Sequence, residues 1–240
     1  MLVARGLGRG YRGVVALDGV DLRLGAGESV ALIGPNGAGK TTLLTILAGA
    51  TRATSGTVEW ADGASPRIGW VPQRPALYQR LTPRENLRLF AGLEGAADAD
   101  ALAEELIARA DLGEFADRSA ATLSTGTLQR LNLAIALAGE PSVLLLDEPT
   151  ATLSPDQRHR LWEWLGALRA GGMALLFSTQ SVDEAMRRGE RMLVLTGGRL
   201  MFSGTSQDMV REYGIGPGSD AEAAELAFMR LVAPAGAETA

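Results

Sequence analysis

The sequence GPNGAGKTT, Gly34 to Thr42, decides the fold. It fits the pattern G-x-x-x-x-G-K-[ST] of a phosphate-binding loop. Every residue of the loop is a candidate phosphate ligand: Gly34, Pro35, Asn36, Gly37, Ala38, Gly39, Lys40, Thr41 and Thr42. The apolar run from Val30 to Ile33 predicts a buried strand before the loop, and Thr41 to Ala48 predicts a helix after it. Backbone N–H groups of a glycine-rich turn and of a helix N-terminus together form a concave surface for phosphate oxygens. This context favours a phosphate site over a chance match.

Lys40 is the only lysine in the chain, and arginine supplies every other strong base. A lysine ammonium is a compact point charge, whereas the arginine guanidinium is planar and extended. A lone lysine at the fixed position of the pattern therefore indicates that a compact charge is needed there.

Composition restricts the class of protein. The 240 residues suit one large α/β domain or a core with an inserted subdomain. A net charge of −5 and a pI near 5.1 argue against a nucleic-acid surface, and the lack of cysteine excludes disulfides and thiolate metal sites. No run approaches the ~20 apolar residues of a membrane span. We expect a protein that is soluble in itself and reaches a membrane through a partner.

The rest of the sequence predicts an α/β fold with two additions. Met1 to Leu24 predicts strands before the phosphate loop, and a helical block at about residues 80–138 predicts an inserted subdomain. In that block Thr82, Pro83 and Glu85 predict a capped helix start, and Thr127 to Ala138 predicts a further helix. After the block, Ser154, Pro155 and Gln157 predict the capped start of a helix that runs to about Ala170. Later segments predict a buried strand at 173–177, a hairpin around 197–198, a linker at 214–219, a helix at 220–232 capped by Ser219, and a disordered tail at 233–240.

Two acids and one aromatic side chain extend the candidate site. Asp147 and Glu148 end a buried strand that begins at Val143, and parallel sheets carry their ligands at the carboxyl ends of strands. We therefore expect both acids to emerge where the phosphate loop does. Tyr11 precedes the loop between turn-forming glycines. It is either a platform for a nucleotide base or a half-buried tyrosine on a strand edge, and its position favours the platform.

These motifs resemble those of the ATP-binding cassette ATPases, the nucleotide-binding subunits of ABC transporters. The matching segments are Tyr11 as base-stacking aromatic, Gly34–Thr42 as phosphate loop, Gln73 as Gln loop, Leu123–Arg130 as signature segment, Asp147 and Glu148 as Walker B acids, Ala151–Pro155 as D-loop and Gln180 at the switch position. The resemblance covers residues 1–212 and implies a RecA-like P-loop NTPase core. The core would have a mainly parallel sheet, an N-terminal antiparallel β subdomain and an inserted helical subdomain. Residues 213–240 would form a C-terminal linker, short helix and tail.

The resemblance implies ATP and Mg²⁺ as cofactors. Lys40 and the loop amides would hold the β- and γ-phosphates, and Thr41, Gln73 and Asp147 would serve the metal. Ser124 and Gly126 would bind a γ-phosphate that belongs to a facing subunit, which makes a dimer part of the mechanism.

The resemblance assigns catalysis to Lys40, Glu148 and Gln180. Glu148 would be the general base for the attacking water, the alternative being a second metal-side or structural carboxylate. Gln180 replaces the family's switch histidine, and it can donate a hydrogen bond to the γ-phosphate but cannot become cationic. The only histidine, His159, follows the D-loop in the chain and is expected on the surface.

Three further substitutions separate the chain from the family pattern. Thr125 and Thr127 replace a glycine and a glutamine of the signature and would crowd its phosphate side, and Ser154 replaces the D-loop aspartate. Serine caps a helix as well as aspartate does but carries no charge. With Gln180, these changes predict a chain that binds MgATP well and hydrolyses it slowly.

The resemblance implies ATP-driven transport, and the segments Leu81–Leu87 and Pro155–Trp162 favour export. The expected partners are an integral membrane permease and a second ATP-binding subunit, identical or different, with no nucleic acid. The expected location is the cytoplasm, peripheral at the inner face of the cell membrane. The alternatives are a degenerate ATP-gated partner of a second cassette and a soluble cassette ATPase of DNA repair or translation.

Overall fold

The computed structural model describes residues 1–60, 67–214 and 220–233. The strands are β1 Leu2–Tyr11, β2 Val14–Leu24, β3 Ser29–Ile33, β4 Ser55–Trp60, β5 Ile68–Val71, β6 Val143–Asp147, β7 Ala174–Thr179, β8 Arg191–Thr196 and β9 Arg199–Gly204. The α-helices are α1 Lys40–Leu47, α2 Pro83–Leu93, α3 Ala99–Arg109, α4 Thr125–Leu137, α5 Pro155–Ala170, α6 Val182–Arg188, α7 Ser206–Tyr213 and α8 Asp220–Val232. They fall into two compact units, the first formed by Met1–Ala64 and Leu175–Ala240 and the second by Ser65–Ala174.

The first unit opens with an antiparallel sheet in the order β2-β1-β4. Leu2 pairs with Leu24 on one side and with Trp60 on the other, so β1 is the central strand. Leu2 and Leu7 are fully buried, as expected for a central strand with one face on the core. The predicted N-terminal antiparallel β subdomain is confirmed.

A mixed sheet in the same unit carries the phosphate loop. Its strands follow the order β7-β3-β8-β9, with β3 parallel to both β7 and β8 and with β9 antiparallel to β8. All five residues of β3 are buried, which explains its unbroken apolar sequence. The loop leaves the carboxyl end of β3 and leads into α1, as the sequence predicts. The hairpin around Gly197–Gly198 is confirmed, since both glycines have positive φ between β8 and β9.

The C-terminal helices complete the first unit. Helix α8 contacts α6, α7 and β8, and it buries Ala224, Ala227 and Leu231. The predicted helix over 220–232 is therefore confirmed to the residue. Its predicted cap Ser219 lies outside the described residues, as do 215–219 of the linker and 234–240 of the tail.

The second unit pairs β5 in parallel with β6 and contains helices α2 to α5. Thr82 and Glu85 form the predicted capping box at the start of α2, because each side chain accepts from the backbone N–H of the other. Helix α2 packs against α3 and α4. Helix α4 begins at Thr125, two residues before the predicted start at Thr127, because Ser124 caps it.

The α/β fold class, with a parallel core, an antiparallel β subdomain and a helical insertion, is confirmed. The domain boundaries at residues 80, 138 and 212 stay predictions. Within the described segments, no helix combines the length and the apolarity needed to span a membrane.

Candidate functional site

Gly34 and Gly39 of the phosphate loop lie where a side chain would not fit. A Cβ on Gly34 would lie 2.0 Å from the carbonyl oxygen of Leu195, and one on Gly39 would lie 2.4 Å from that of Ala16. Gly39 has a φ of 106°, which residues with a side chain rarely adopt. The backbone of strands β2 and β8 therefore closes one side of the loop, and Pro35, Asn36 and Gly37 are exposed on the other.

Lys40 is buried although it carries a charge, with 6% of its surface exposed. Its Nζ donates hydrogen bonds to the carbonyl oxygens of Gly34 at 2.8 Å and of Pro35 at 3.1 Å. A buried ammonium needs such partners because desolvation of an unpaired charge is costly. The lysine side chain thus folds back along the loop, and its charge lies beside the loop backbone. Thr41, the next residue, is exposed on the first turn of α1.

Tyr11 ends β1 at a tight turn in which Arg12 and Gly13 both have positive φ. The ring is 43% exposed, so it is available to a flat ligand. The guanidinium of Arg9 lies 4.6 Å from the ring centroid, and Arg9 Nη1 donates to the carbonyl oxygen of Arg52 at 2.8 Å. The cation therefore lies over one face of the ring. This contact of Arg9 with Tyr11 is not predicted by the sequence.

In the second unit, the two acids differ in environment. Asp147 ends β6 and is buried with 2% of its surface exposed, whereas Glu148 is partly exposed and has a φ of 46°. A positive φ in a residue with a side chain stores strain, which is common at functional sites. Gln73 Nε2 donates a hydrogen bond to Glu148 Oε2 at 2.9 Å. The structure therefore brings together two site residues that lie 75 positions apart.

The signature segment forms the N-terminus of α4. The Ser124 hydroxyl accepts a hydrogen bond from the Thr127 backbone N–H at 3.2 Å and lies 2.8 Å from the Thr127 hydroxyl. Thr127 is only 4% exposed, whereas Thr125 is exposed. Crowding of the phosphate side by these two threonines stays a prediction. Thr127 is buried because its hydroxyl faces Ser124 instead of solvent.

The D-loop helix begins next to the signature. Ser154 is the residue before α5, and its N–H donates to Gln157 Oε1 at 3.1 Å, in agreement with the predicted helix start. The Gln157 amide also covers Gly126, where an added Cβ would lie 2.2 Å from Gln157 Nε2. Gln157 thus contacts both motifs, a role that sequence reasoning missed. His159 lies on the surface as predicted and is 3.3 Å from Glu163.

Gln180 follows β7 and is exposed. The residues on either side of Gln180 are joined by hydrogen bonds of the Thr179 hydroxyl. Thr179 Oγ1 donates to Glu184 Oε2 at 2.6 Å and accepts from the Ser181 N–H at 3.1 Å. The switch position therefore lies on a rigid turn between β7 and α6.

The first turns of α1 and α4 share a feature that the other helices lack. Among the eight α-helices of the described residues, the remaining six carry Asp or Glu in the first turn, and α1 and α4 carry none. Acids stabilise a helix N-terminus but repel an anion placed there. Both helices that start in candidate phosphate-binding motifs are therefore suited to face an anion. This signal is readable in the sequence once the helix starts are known.

A parallel strand, a glycine loop with no room for a side chain at Gly34 and Gly39, and a buried lysine at a helix start define a phosphate-loop nucleotide-binding protein. The chain belongs to the ABC transporter family, since the family model described as ABC transporter matches residues 17–151.

Curated relatives support this family. The chain is 39% identical over 209 residues to the daunorubicin resistance ATP-binding protein DrrA3 of Streptomyces coeruleorubidus, covering 83% of this chain and 66% of the relative. It is 39% identical over 206 residues to the Nod factor export ATP-binding protein I of Burkholderia lata, covering 82% and 68%. It is 40% identical over 215 residues to the human ATP-binding cassette sub-family A member 10, covering 85% of the chain but 14% of that protein. The chain thus spans two thirds or less of several relatives.

Solved structures agree in fold. The ATP-binding subunit of an ABC transporter superposes with a TM-score of 0.83 at 28% identity, covering 96% of this chain and 99% of that one. The dimeric post-hydrolysis state of an ATP-binding cassette bound to ADP and Pi superposes with a TM-score of 0.78 at 27% identity, covering 85% and 98%. The chain is therefore an ATP-binding cassette.

Proposed function

We propose that the chain binds and hydrolyses MgATP to drive a membrane exporter, as the translocase ATPase subunit. The observation that carries this proposal is the buried Lys40, held by the Gly34 and Pro35 carbonyls in a loop that leaves no room for a Cβ at Gly34 or Gly39. A compact charge beside closely approachable backbone N–H groups suits the β- and γ-phosphates of a nucleotide. Tyr11 would stack on the base with the ring face that Arg9 leaves open.

The donor set fits Mg²⁺, which prefers oxygen ligands and keeps several waters. Thr41 would contribute a hydroxyl, Gln73 an amide oxygen and Asp147 a carboxylate. When bound with ATP, the ion would neutralise charge that develops on the phosphates.

Glu148 is the proposed general base, and it would take a proton from the water that attacks the γ-phosphate. Two observations support the assignment: its partly exposed carboxylate contacts Gln73, and its backbone φ is positive. Gln73 donates to one carboxylate oxygen of Glu148, which fixes the direction of the carboxylate. Gln180 would donate a hydrogen bond to the γ-phosphate from its turn after β7.

The signature would act on the nucleotide of a second cassette. Support comes from the N-terminus of α4, which presents Ser124 and the Gly126 N–H with no acid in its first turn. The dimeric cassette bound to ADP and Pi offers a precedent in a related fold. Because Ser154 and Gln180 lack the charges expected at their positions, we propose that turnover is slow. A steady-state ATPase assay with Glu148→Gln as the inactive control measures it, and a rate typical of unmodified cassettes contradicts slow turnover.

Export and location follow from the relatives. One is named for daunorubicin resistance and another for Nod factor export. We therefore propose an integral membrane permease as partner and a place at the cytoplasmic face of the membrane. The second candidate is a degenerate partner of a different cassette, which the changes at Thr125, Ser154 and Gln180 favour. Co-purification separates the two, since a second cassette in the complex identifies the degenerate role. A soluble assembly without a permease identifies a non-transport ATPase.

The lone lysine gives a direct test of nucleotide binding. An amine-reactive ester acylates a neutral primary amine with loss of its leaving group. The chain offers the side-chain amine of Lys40 and the α-amine, and peptide mass spectrometry separates the two products. We expect MgATP to slow acylation of Lys40 at least several-fold and to leave the α-amine unaffected, which serves as internal control. Equal acylation of Lys40 with and without MgATP would contradict the proposal.

A further inference from the structure

The signature of this chain contains a hydroxyl pair. Ser124 Oγ accepts from the Thr127 N–H at 3.2 Å, and the hydroxyls of Ser124 and Thr127 lie 2.8 Å apart. Such a distance marks a well-formed O–H···O hydrogen bond. Thr127 is 4% exposed, so its hydroxyl has little access to water.

The number of hydrogen-bonding positions on a hydroxyl limits what this pair can do. A serine hydroxyl offers one donor hydrogen and two acceptor lone pairs. If the Thr127 hydroxyl is the donor, both lone pairs of Ser124 Oγ are occupied by Thr127, through its N–H and its O–H. The remaining function of Ser124 is to donate its own hydrogen outward. If Ser124 is the donor, it has no hydrogen left for a ligand.

A phosphate oxygen accepts hydrogen bonds and has none to give once it is ionised. It therefore selects the first arrangement, in which Thr127 donates to Ser124 and Ser124 donates to phosphate. This inference rests on the proposed function, in which the start of α4 faces the γ-phosphate of a second cassette.

We propose that Thr127 is a positioning residue that makes the Ser124 hydroxyl an obligate donor to that γ-phosphate. Thr127 takes the place of the family glutamine and compensates for its loss by a different route. A glutamine three residues after the cap would be the partner in a capping box, whereas Thr127 reaches the cap oxygen itself. Thr125, by contrast, is exposed to solvent.

The test compares Thr127→Val with Thr127→Ser in a Glu148→Gln background, so that ATP is bound without turnover. Valine keeps the shape and removes the hydroxyl, and serine restores the hydroxyl. The readout is the ATP concentration that gives half-maximal association of two copies, measured by light scattering. We expect valine to raise it about fivefold, the effect of one neutral hydrogen bond, and serine to return it to within about twofold.

Two controls isolate the hydroxyl. MgATP affinity is measured at a protein concentration too low for association and should be equal in all variants, because the pair faces the other copy's nucleotide. Thr122→Val makes the same chemical change at a hydroxyl that donates to the Ser119 carbonyl, and it should leave association unchanged.

The outcomes separate the inference from the function on which it rests. Association of the parent that Thr127→Val does not shift overturns the role of Thr127 alone. Equal losses in the valine and serine variants, or a loss of affinity at low protein concentration, overturn it as well. If the parent shows no ATP-driven association, the sandwich of two copies is overturned and this inference with it.

Discussion

Helices α1 and α4 both begin in a candidate phosphate motif, but their N-termini are satisfied in opposite ways. Helix α1 starts after Gly39, which is left-handed and provides no side-chain cap. Helix α4 starts after Ser124, whose hydroxyl accepts from the third residue of the helix. The first N-terminus therefore leaves backbone N–H groups to a ligand, whereas the second already has an internal partner.

The two helix starts are therefore suited to different tasks in the proposed function. A loop that must hold a nucleotide strongly does so with uncapped N–H groups and a buried ammonium. In the proposed function, the start of α4 would engage a nucleotide only when a second copy approaches. It must then be stable by itself in the meantime, and the serine cap provides that stability. Both helices omit the first-turn acid that the other six carry.

The largest effect is expected from removal of the charge at the first helix. Lys40→Ala should weaken MgATP binding roughly 10- to 100-fold, because a hydrogen bond to a charged group contributes about 1.5–3 kcal/mol. Hydrolysis should fall below detection. Lys40→Arg keeps the charge but spreads it over a planar group. Its affinity, measured by titration with a fluorescent ATP analogue, should lie between those of the parent and of Lys40→Ala. Binding by Lys40→Ala at the parental affinity would remove Lys40 from the site.

Two glycines of the loop separate steric contact from backbone conformation. Gly34→Ala places a Cβ 2.0 Å from the Leu195 carbonyl oxygen at an ordinary φ, whereas Gly37→Ala meets open space at a φ of 79°. We expect losses in unfolding free energy of about 3 kcal/mol for the first and about 1 kcal/mol for the second. Urea denaturation measures both. Equal losses in the two variants would mean that the close approach of Gly34 to the Leu195 carbonyl of β8 does not contribute to stability.

An acid introduced into the first turn of α4 should change the stability of the fold and ATP-driven association in opposite directions. Thr125→Glu should stabilise the helix by about 0.3–1 kcal/mol through the helix dipole. It should also abolish ATP-driven association, because the carboxylate repels the γ-phosphate. Asp100→Asn in α3 makes the reverse change away from the motifs and should destabilise slightly with association intact. Association that survives Thr125→Glu would show that α4 faces no anion.

The smallest effect concerns the other end of β3. Burial alone would raise the pKa of Glu28, but hydrogen bonds from Arg191 and the Gly25 N–H outweigh it, and the net pKa is lowered. A lowered pKa means that the carboxylate stabilises the fold above its unfolded pKa and that this contribution is lost as pH falls through the folded value. Glu28→Gln should therefore flatten the acid limb of the stability curve, measured by thermal unfolding between about pH 3 and pH 6. An unchanged acid limb would contradict a role for this pair.

Many elements of the fold depend on short stretches of sequence and are predicted from them. The β3–loop–α1 unit, the capped starts of α2 and α5, and helix α8 all follow from spacings of a few residues. Helix α4 starts two residues earlier than the sequence predicts. Thr125 and Gly126 are weak helix formers, but the hydrogen bond from the Ser124 cap outweighs their low helix propensity. The sequence does not predict the burial of Thr127, whose hydroxyl contacts that of Ser124.

The sequence by itself determined which residues can meet a phosphate: the glycine loop, the lone lysine, the two acids and the serine-capped helix start. These depend on residue chemistry and on hydrogen bonds within one turn or one loop. Only the tertiary structure decided that Leu195 closes the loop behind Gly34, that Gln73 contacts Glu148 and that Gln157 covers Gly126. Such contacts join residues far apart in the chain. Packing selects them, and no local spacing encodes packing.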